Sequence, residues 1–260
     1  MSPGPPEERG TSSWLAPVFL LALLLVAWQV AAETGLLAGL FGLDGFLVPA
    51  PSEIAAVLWE DRSLLAENAL VTLSEVVIGF LIALLLGVGS AVAFHLVPVI
   101  RQAAYPLVVA SQAIPIIVIA PILVVWFGYG IGPKLAVIAL ICFFPIAVNT
   151  LDGLRSVDRE QIKMMQTLYA GRTEILTRVE APTALPYLMS GARIAVAVAV
   201  IGAVFGEWAG ASQGLGYLML QDNAQLLTDR LFASVAILSV MAILLFGAIA
   251  LLERRVVTWR

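Results

Sequence analysis

Runs of about 20 apolar residues recur along this chain, the length an α-helix needs to cross a hydrocarbon layer roughly 30 Å thick. Six can be read: Trp14–Ala32, Ala69–Phe94, Pro106–Phe127, Pro133–Thr150, Leu185–Gly206 and Leu231–Leu252. In hydrocarbon every backbone polar group needs a partner within the protein, so only helices and closed barrels span. The ten-residue alternation of a barrel strand is absent, which leaves helices. Composition agrees: 61% of the residues are hydrophobic and only 12% charged, a balance outside the soluble range. The expected fold is therefore an all-α integral membrane protein with six transmembrane helices. It reads as one domain over residues 14–260, with a core at about 69–252 and no internal repeat.

The charges orient the bundle. Under the six-span count, Arg9, Arg101, Arg155, Arg159, Lys163, Arg172, Arg178, Arg254, Arg255 and Arg260 fall on one side. Arg62, Lys134 and Arg230 fall on the other, and Arg193 lies within a span. Cations concentrate on the cytoplasmic side, so both termini and the long loop 151–183 are expected in the cytoplasm. The net charge of −4 comes largely from outer loops, where Asp44, Glu53, Asp61, Asp222 and Asp229 lie. No basic stripe is available to neutralise phosphates, which excludes nucleic acid as a partner. A single cysteine, Cys142, rules out an internal disulfide and a thiolate metal cluster; it reads as a small buried apolar residue.

Residues 1–13 are rich in Pro, Gly and Ser and are expected to be a disordered cytoplasmic tail. The run that follows resembles a signal peptide ending at Val30–Ala32. It is longer than an ordinary signal core, and Glu7 and Glu8 offset Arg9, so an uncleaved first span is expected. Further on, Pro51 and Ser52 signal a helix start. Ile54, Val57 and Leu58 then form one face of an interfacial helix ending near Trp59, with Ser52 as its N-cap.

The loop Leu151–Leu185 is unusually structured for a connection. In Glu160–Tyr169, Ile162, Met165, Leu168 and Tyr169 share a face, with Glu160, Lys163 and Gln166 opposite. Gly171 permits a turn. Thr173–Val179 brings Ile175, Leu176 and Val179 together, and Pro182 stops the second helix. Two short helices make a compact knob that needs a socket.

This layout resembles the signature loop of ABC importer permeases: Glu-Ala-Ala, three residues, Gly, nine residues, an aliphatic, two residues and Pro. Lys163, Met164 and Met165 stand where Glu-Ala-Ala would, Tyr169 stands where the Gly would, and Val179 and Pro182 keep the frame. Pro51–Ile54, Pro106–Gln112, Trp126–Gly130, Phe144–Thr150 and Gln213–Leu218 extend the resemblance over roughly residues 50–255, towards nitrate, sulfonate and taurine permeases and their pyrimidine-precursor and flavin relatives. The stretch Glu207–Asn223 looks nearest to permeases for pyrimidine-type thiamine precursors or riboflavin. The resemblance implies a type I importer permease working as a dimer in the bacterial inner membrane. It implies two cytoplasmic ATP-binding subunits, an extracytoplasmic solute-binding protein, and no cofactor on this chain, since ATP is used by the partner. It places the ATPase coupling on Glu160, Lys163, Met165, Tyr169, Ala170, Gly171, Arg172, Glu174 and Pro182.

Other motifs carry less. Gly210-Ala211-Ser212-Gln213-Gly214 fits the G-x-S-x-G of serine hydrolases. The only histidine, His95, belongs at the opposite face, so the match reads as a glycine-rich turn and His95 as an interfacial residue. Gly128, Gly130 and Gly132 lack the Gly-Lys step of a phosphate loop, because Pro133 precedes Lys134. The chain is thus expected to be no enzyme, with no catalytic and no metal residues. Pro115 and Pro121 interrupt the third span beside Ser111 and Gln112; the region reads either as a packing kink or as lining for a translocation path. Glu75 and Arg193 lie inside spans, where ionisable groups turn to the protein interior. Arg193 reads as snorkelling to the cytoplasm or holding loop carbonyls. Asn149 and Glu207 sit at span ends, where interface water satisfies polar groups; with Ser111, Gln112 and Pro115 they are the candidate path residues. The rival to an ATP-driven permease is a secondary carrier, for which Glu75 alone offers an ion-coupling group. An intramembrane hydrolase fails on the placement of His95.

Overall fold

The computed structural model describes residues 12–42 and 44–258. The expected disordered tail lies outside them, except that Ser12 and Ser13 open the first helix. The described chain forms two compact units, one holding residues 12–62 and 222–233, the other residues 63–221 and 234–258.

The first unit contains α1 (Ser12–Glu33), α2 (Leu36–Phe41), a 3₁₀ turn at Gly45–Leu47 and α3 (Pro51–Glu60). The expected interfacial helix is α3, but Ser52 is not its cap. Ala50 takes the N-cap, and its N–H donates to the Glu53 carboxylate at 2.8 Å. Ser52, one residue inside, exchanges two hydrogen bonds with the Gln29 side chain of α1, at 2.7 and 3.0 Å. Asp222 and Arg230 were expected as loop charges. Instead Asp222 is fully buried and the Arg230 guanidinium binds it at 2.6 Å, with Asp61 at 3.4 Å.

The second unit is the bundle. It is built from α4 (Arg62–Leu96), α5 (Pro98–Ser111), α6 (Ile116–Phe127), α7 (Ile131–Arg155), α8 (Arg159–Thr167), α9 (Arg172–Ile175), α10 (Ala181–Gly210), α11 (Leu215–Gln225) and α12 (Thr228–Val256). The outermost turns of α4, α11 and α12 reach into the first unit's residue range. No strand forms among the described residues. Five helical stretches are long and apolar enough to cross a membrane.

Glycine sets the packing of the centre. A Cβ on Gly153 would lie 2.7 Å from that of Tyr187, and one on Gly191 2.6 Å from the Pro145 carbonyl oxygen. Gly202 meets Ile138 in the same way, and Gly206 meets Lys134. These pairs run in opposite directions along the chain, so α7 and α10 are antiparallel and touch backbone to backbone. Lipid offers apolar side chains no reason to leave it, so small residues that allow close approach hold membrane helices together. Also along α7, Gly79 meets Ile138 and Gly87 meets Ile146. Here the numbers rise together, so α4 and α7 are parallel.

That direction decides the third span. The single helix expected over Pro106–Phe127 is two helices, α5 and α6, meeting at 106° across Gln112–Pro115. Parallel α4 and α7 require the chain to return between them, so the bent pair carries it back and brings the apolar passages among the described residues to six. Pro115 disfavours helical backbone in the residue before it and begins α6 as its N-cap. Pro121 causes no such break and lies inside α6.

A second proline also departs from expectation. Pro182 does not stop the helix: α9 runs through a π-turn, Leu176–Glu180, directly into α10. Proline lacks the amide that would bond to Arg178 and crowds that carbonyl. The wider turn just before it, in which the Ala181 N–H reaches back to the Leu176 oxygen, loosens the backbone where Pro182 needs room.

The glycine contacts can be tested directly. Gly191→Val should lower the melting temperature of the purified protein, by an overpacking cost of about 1–3 kcal/mol. Gly89→Ala, whose Cβ meets nothing within 4 Å, should melt at or above the parent. Equal melting of Gly191→Val and the parent would refute backbone-level packing of α7 on α10.

Candidate functional site

Between α7 and α10 the chain forms α8 and α9, joined by a turn at residues 168–171. Asp158 caps α8, its carboxylate accepting from the Glu160 N–H at 2.9 Å. Along α8, Ile162 and Met165 are half-buried, while Glu160 and Lys163 face solvent. Leu168 and Tyr169 depart from the expected apolar face. They project outward, 69% and 96% exposed, beside Met164 at 58%. Three large apolar side chains at the tip of a polar loop form a patch that water does not favour.

The tip turns at Tyr169, not at Gly171. Tyr169 has φ +59°, a left-handed conformation that costs an L-residue roughly 1–2 kcal/mol. Gly171 is extended, with φ −72° and ψ 166°, and serves as the N-cap of α9. Its N–H donates to the Glu174 carboxylate at 3.2 Å. Thus the position at which the signature loop calls for glycine does adopt the backbone that glycine favours, although tyrosine occupies it. Ala170 is half-buried behind the tip and Arg172 opens α9.

Arg172 reaches inward. Its Nη1 donates to Glu180 Oε1 at 2.7 Å, spanning the π-turn. Glu180 is only 1% exposed. Its other oxygen lies 2.9 Å from Nε2 of His95, in the last turn of α4. His95 is therefore no interfacial residue; its side chain is largely buried against a carboxylate. The contact is an ion pair when the ring is protonated; Nε2 and Oε2 are within donor–acceptor distance without forming a regular hydrogen bond.

Beside the knob, Arg193 neither snorkels freely nor holds loop carbonyls. It pairs with Glu253 of α12 at 3.3 Å. Asn149 donates its amide to the Pro145 carbonyl at 2.7 Å, within its own helix. Ser111 likewise bonds back to Val108. Gln112 is the C-cap of α5, and its side chain is exposed at the break, as is Pro115. Of the five candidate path residues, Ser111, Gln112 and Pro115 thus gather at one break, and Asn149 is engaged elsewhere.

Glu207 belongs to a different assembly, at the opposite end of α10 from the knob. It is 1% exposed, not wetted at an interface. Thr72 of α4 donates to its Oε1 at 2.7 Å, while the N–H groups of Gly216 and Tyr217 donate to Oε2 at 2.5 and 3.2 Å. Thr72 also accepts from the Leu215 N–H at 2.9 Å, and Asn68 accepts from the Gly214 N–H at 2.8 Å. The carboxylate thereby caps α11, where free amides and the helix dipole attract negative charge. Gly214, at φ +118°, lies so close that any Cβ there would strike the Glu207 carboxyl group. This is why the G-x-S-x-G stretch is a turn. Its Ser212 sits near Asn68, whereas His95 is 27 residues further along α4, about 40 Å at 1.5 Å per residue.

Next to Glu207, Glu75 is ion-paired with Lys134 of α7, and the Glu75 carboxyl also interacts with that of Glu207. A buried carboxylate is costly unless a counter-charge and hydrogen bonds satisfy it. Lys134 therefore is not an outer loop charge; it neutralises the junction of α4, α7 and α10. Asn68, Thr72 and Glu180 were missed from the sequence. The glycine-rich run 210–214 after a span was the available sign of the first two.

The second unit is an all-helical bundle of membrane type with a polar knob between α7 and α10. Comparison with known proteins shows its class. Residues 70–258 match the family described as binding-protein-dependent transport system inner membrane component, and the chain belongs to that family. It is an ABC importer permease of the inner membrane; members of this family are transport subunits and not enzymes themselves. It is 38% identical to the formylaminopyrimidine transport permease protein ThiX of Halalkalibacterium halodurans, over 95% of this chain and 96% of that one. It is also 38% identical to the riboflavin transport system permease protein RibX of Chloroflexus aurantiacus, over 94% and 89%. The taurine transport system permease protein TauC of Escherichia coli is 30% identical, over 92% and 87%. Among solved structures, the inward-facing MetNI methionine ABC transporter aligns with a TM-score of 0.65 at 20% identity, covering 75% of this chain and 97% of that one.

The capped turn yields a test of its own. Thr72→Val removes both an acceptor and a donor and should cost about 1–3 kcal/mol by stranding the Leu215 amide and one Glu207 oxygen. Gly214→Ala should be worse. Limited proteolysis should then cut between Gly210 and Leu215, and parent-like resistance in both variants would refute the capping role of Glu207.

Proposed function

We propose that this permease imports a small nitrogen heterocycle of the pyrimidine-precursor or flavin class, with a solute-binding protein delivering it and two cytoplasmic ATP-binding subunits driving it. The substrate class rests on two of the relatives at 38% identity, whose names specify formylaminopyrimidine and riboflavin. Sulfonates and taurine are the second reading, resting on a relative at 30%. Both termini and the knob face the cytoplasm on this reading, because the knob end carries the excess of cations. The permease works as a homodimer, holds no cofactor, and leaves ATP hydrolysis to its partners.

One observation carries the coupling role: the apolar tip Met164, Leu168 and Tyr169, exposed on a loop otherwise charged. Such a tip suits a groove on an ATPase subunit, with Glu160, Lys163, Arg172 and Glu174 at its rim and Met165, Ala170, Gly171 and Pro182 shaping its base. A secondary carrier is disfavoured, because Glu75, its one candidate coupling group, is held by Lys134.

Two experiments follow. In vesicles carrying the permease, its ATPase subunits and its binding protein, uptake of formylaminopyrimidine or riboflavin should require ATP. A cysteine introduced by Tyr169→Cys should cross-link to an ATPase subunit. Uptake that persists without ATP, driven by an ion gradient, would overturn the importer reading, and uptake of taurine alone would overturn the substrate class.

The break between α5 and α6 is proposed to border the solute path, since its helix-end polar groups and Gln112 are left open there. Gln112→Leu should reduce uptake and alter substrate preference without changing the melting temperature of the complex. Unchanged uptake with lowered stability would make the break a packing feature only.

A further inference from the structure

Two buried glutamates stand at opposite ends of one helical stretch, and both are tied to the same neighbour. Glu180 ends the π-turn that leads into α10, and Glu207 lies in the last turns of that helix. They are 27 residues apart, about 40 Å along the axis. Both are 1% exposed. At the knob end Glu180 meets His95 of α4 at 2.9 Å, and at the far end Glu207 accepts from Thr72 of α4 at 2.7 Å. Apolar packing does not require either carboxylate. Each costs several kcal/mol to bury and is tolerated because its partners are fixed.

The placement at the knob end is specific. A π-turn is a compliant point in a helix, the place where a push on α9 is absorbed as a change of pitch. Arg172 lies before that turn, Glu180 at its end, and their 2.7 Å contact staples across it. His95 extends the staple to α4. Between the two latches α4 and α10 share α7 as a neighbour, through Gly79 and Gly87 of α4 and Gly191, Gly202 and Gly206 of α10. At the far end Asn68, Thr72 and Glu207 together grip the turn Ala211–Gly214 and the start of α11.

We propose that Glu180 and Glu207 are positioning residues that latch α4 and α10 into one lever, so that displacement of the knob reaches the far-end turn before α11. The proposal rests on the reading of the knob as the ATPase seat. It assigns His95 to coupling, although His95 touches neither partner nor solute. In a packed bundle with two discrete arrangements, such a joint moves both ends together or not at all.

The test uses the assembled permease–ATPase complex in proteoliposomes with its binding protein, and compares His95→Leu, His95→Gln and Glu180→Gln. Uptake and ATP hydrolysis are measured together. An exposed cysteine from Ser212→Cys reports the far-end turn through an impermeant maleimide; native Cys142 is buried. In His95→Leu and Glu180→Gln, hydrolysis should continue while solute moved per ATP falls by about fivefold or more, the lower range for coupling between linked sites. Labelling of Ser212→Cys should then stop responding to nucleotide. His95→Gln, which keeps a donor for Glu180, should recover most of the ratio. A merely structural role would lower the melting temperature of His95→Leu and leave solute per ATP unchanged, and that result overturns the lever. If Glu180→Gln does not assemble, His95→Leu decides alone, because it leaves the Arg172–Glu180 contact in place. Cross-linking from Tyr169→Cys separates the two readings. With that cross-link present and His95→Leu normally coupled, only the lever falls; with the cross-link absent, the ATPase seat falls and takes the lever's drive with it.

Discussion

Contact between the backbones of α7 and α10 is the constraint on which the bundle rests. In a membrane, lipid chains are as apolar as leucine, so burying Leu or Ile between helices gains little. Shape must do what hydrophobicity does in water. Gly153, Gly191, Gly202 and Gly206 remove the side chains that would hold the helices apart, and α7 is then close enough for the Cys142 thiol to reach the Ala195 carbonyl at 3.2 Å. The parallel seat of α4 on α7 follows from two more glycines. Once α4 and α7 run the same way, the chain between them has to cross back, which is why the bent pair α5–α6 counts as a passage.

That seam also makes the buried charges tolerable. Glu75, Lys134 and Glu207 meet only because three helices approach closely at one end, and His95, Arg172 and Glu180 only because two do at the other. Each group has its partner within the protein, as a low-dielectric interior demands. The charges therefore report registration. A slip of one helical turn between α4 and α10 would strand both glutamates at once.

Much of this was legible from residue order alone. Hydropathy marked the long apolar helices but not the break in the third span, and helical spacing anticipated α8. The resemblance in the signature loop named the family. What could not be read were features set by two segments at once. Pro115 and Pro121 look alike in the sequence, yet one begins a helix and the other is absorbed within one. Glu207 looked like an end-of-span residue in water until Thr72 and the Gly214 turn closed over it. Glu180 was hidden by periodicity: counting 3.6 residues per turn groups Val179 with Ile175, whereas the π-turn admits one residue more and rotates Glu180 onto the buried stripe with Ile175 and Ala184.

That one additional residue also sets a direction. Each residue in an α-helix advances the chain by about 100° around its axis. The residue added at Leu176–Glu180 therefore fixes the compass bearing of α8 and the Tyr169 tip relative to the membrane-embedded part of the same helix. Relatives that differ there by a single insertion or deletion would point their knobs in a direction about a quarter-turn away while keeping every transmembrane contact. The heading of the knob and the membrane architecture are thereby separable, and the segment between them is five residues long.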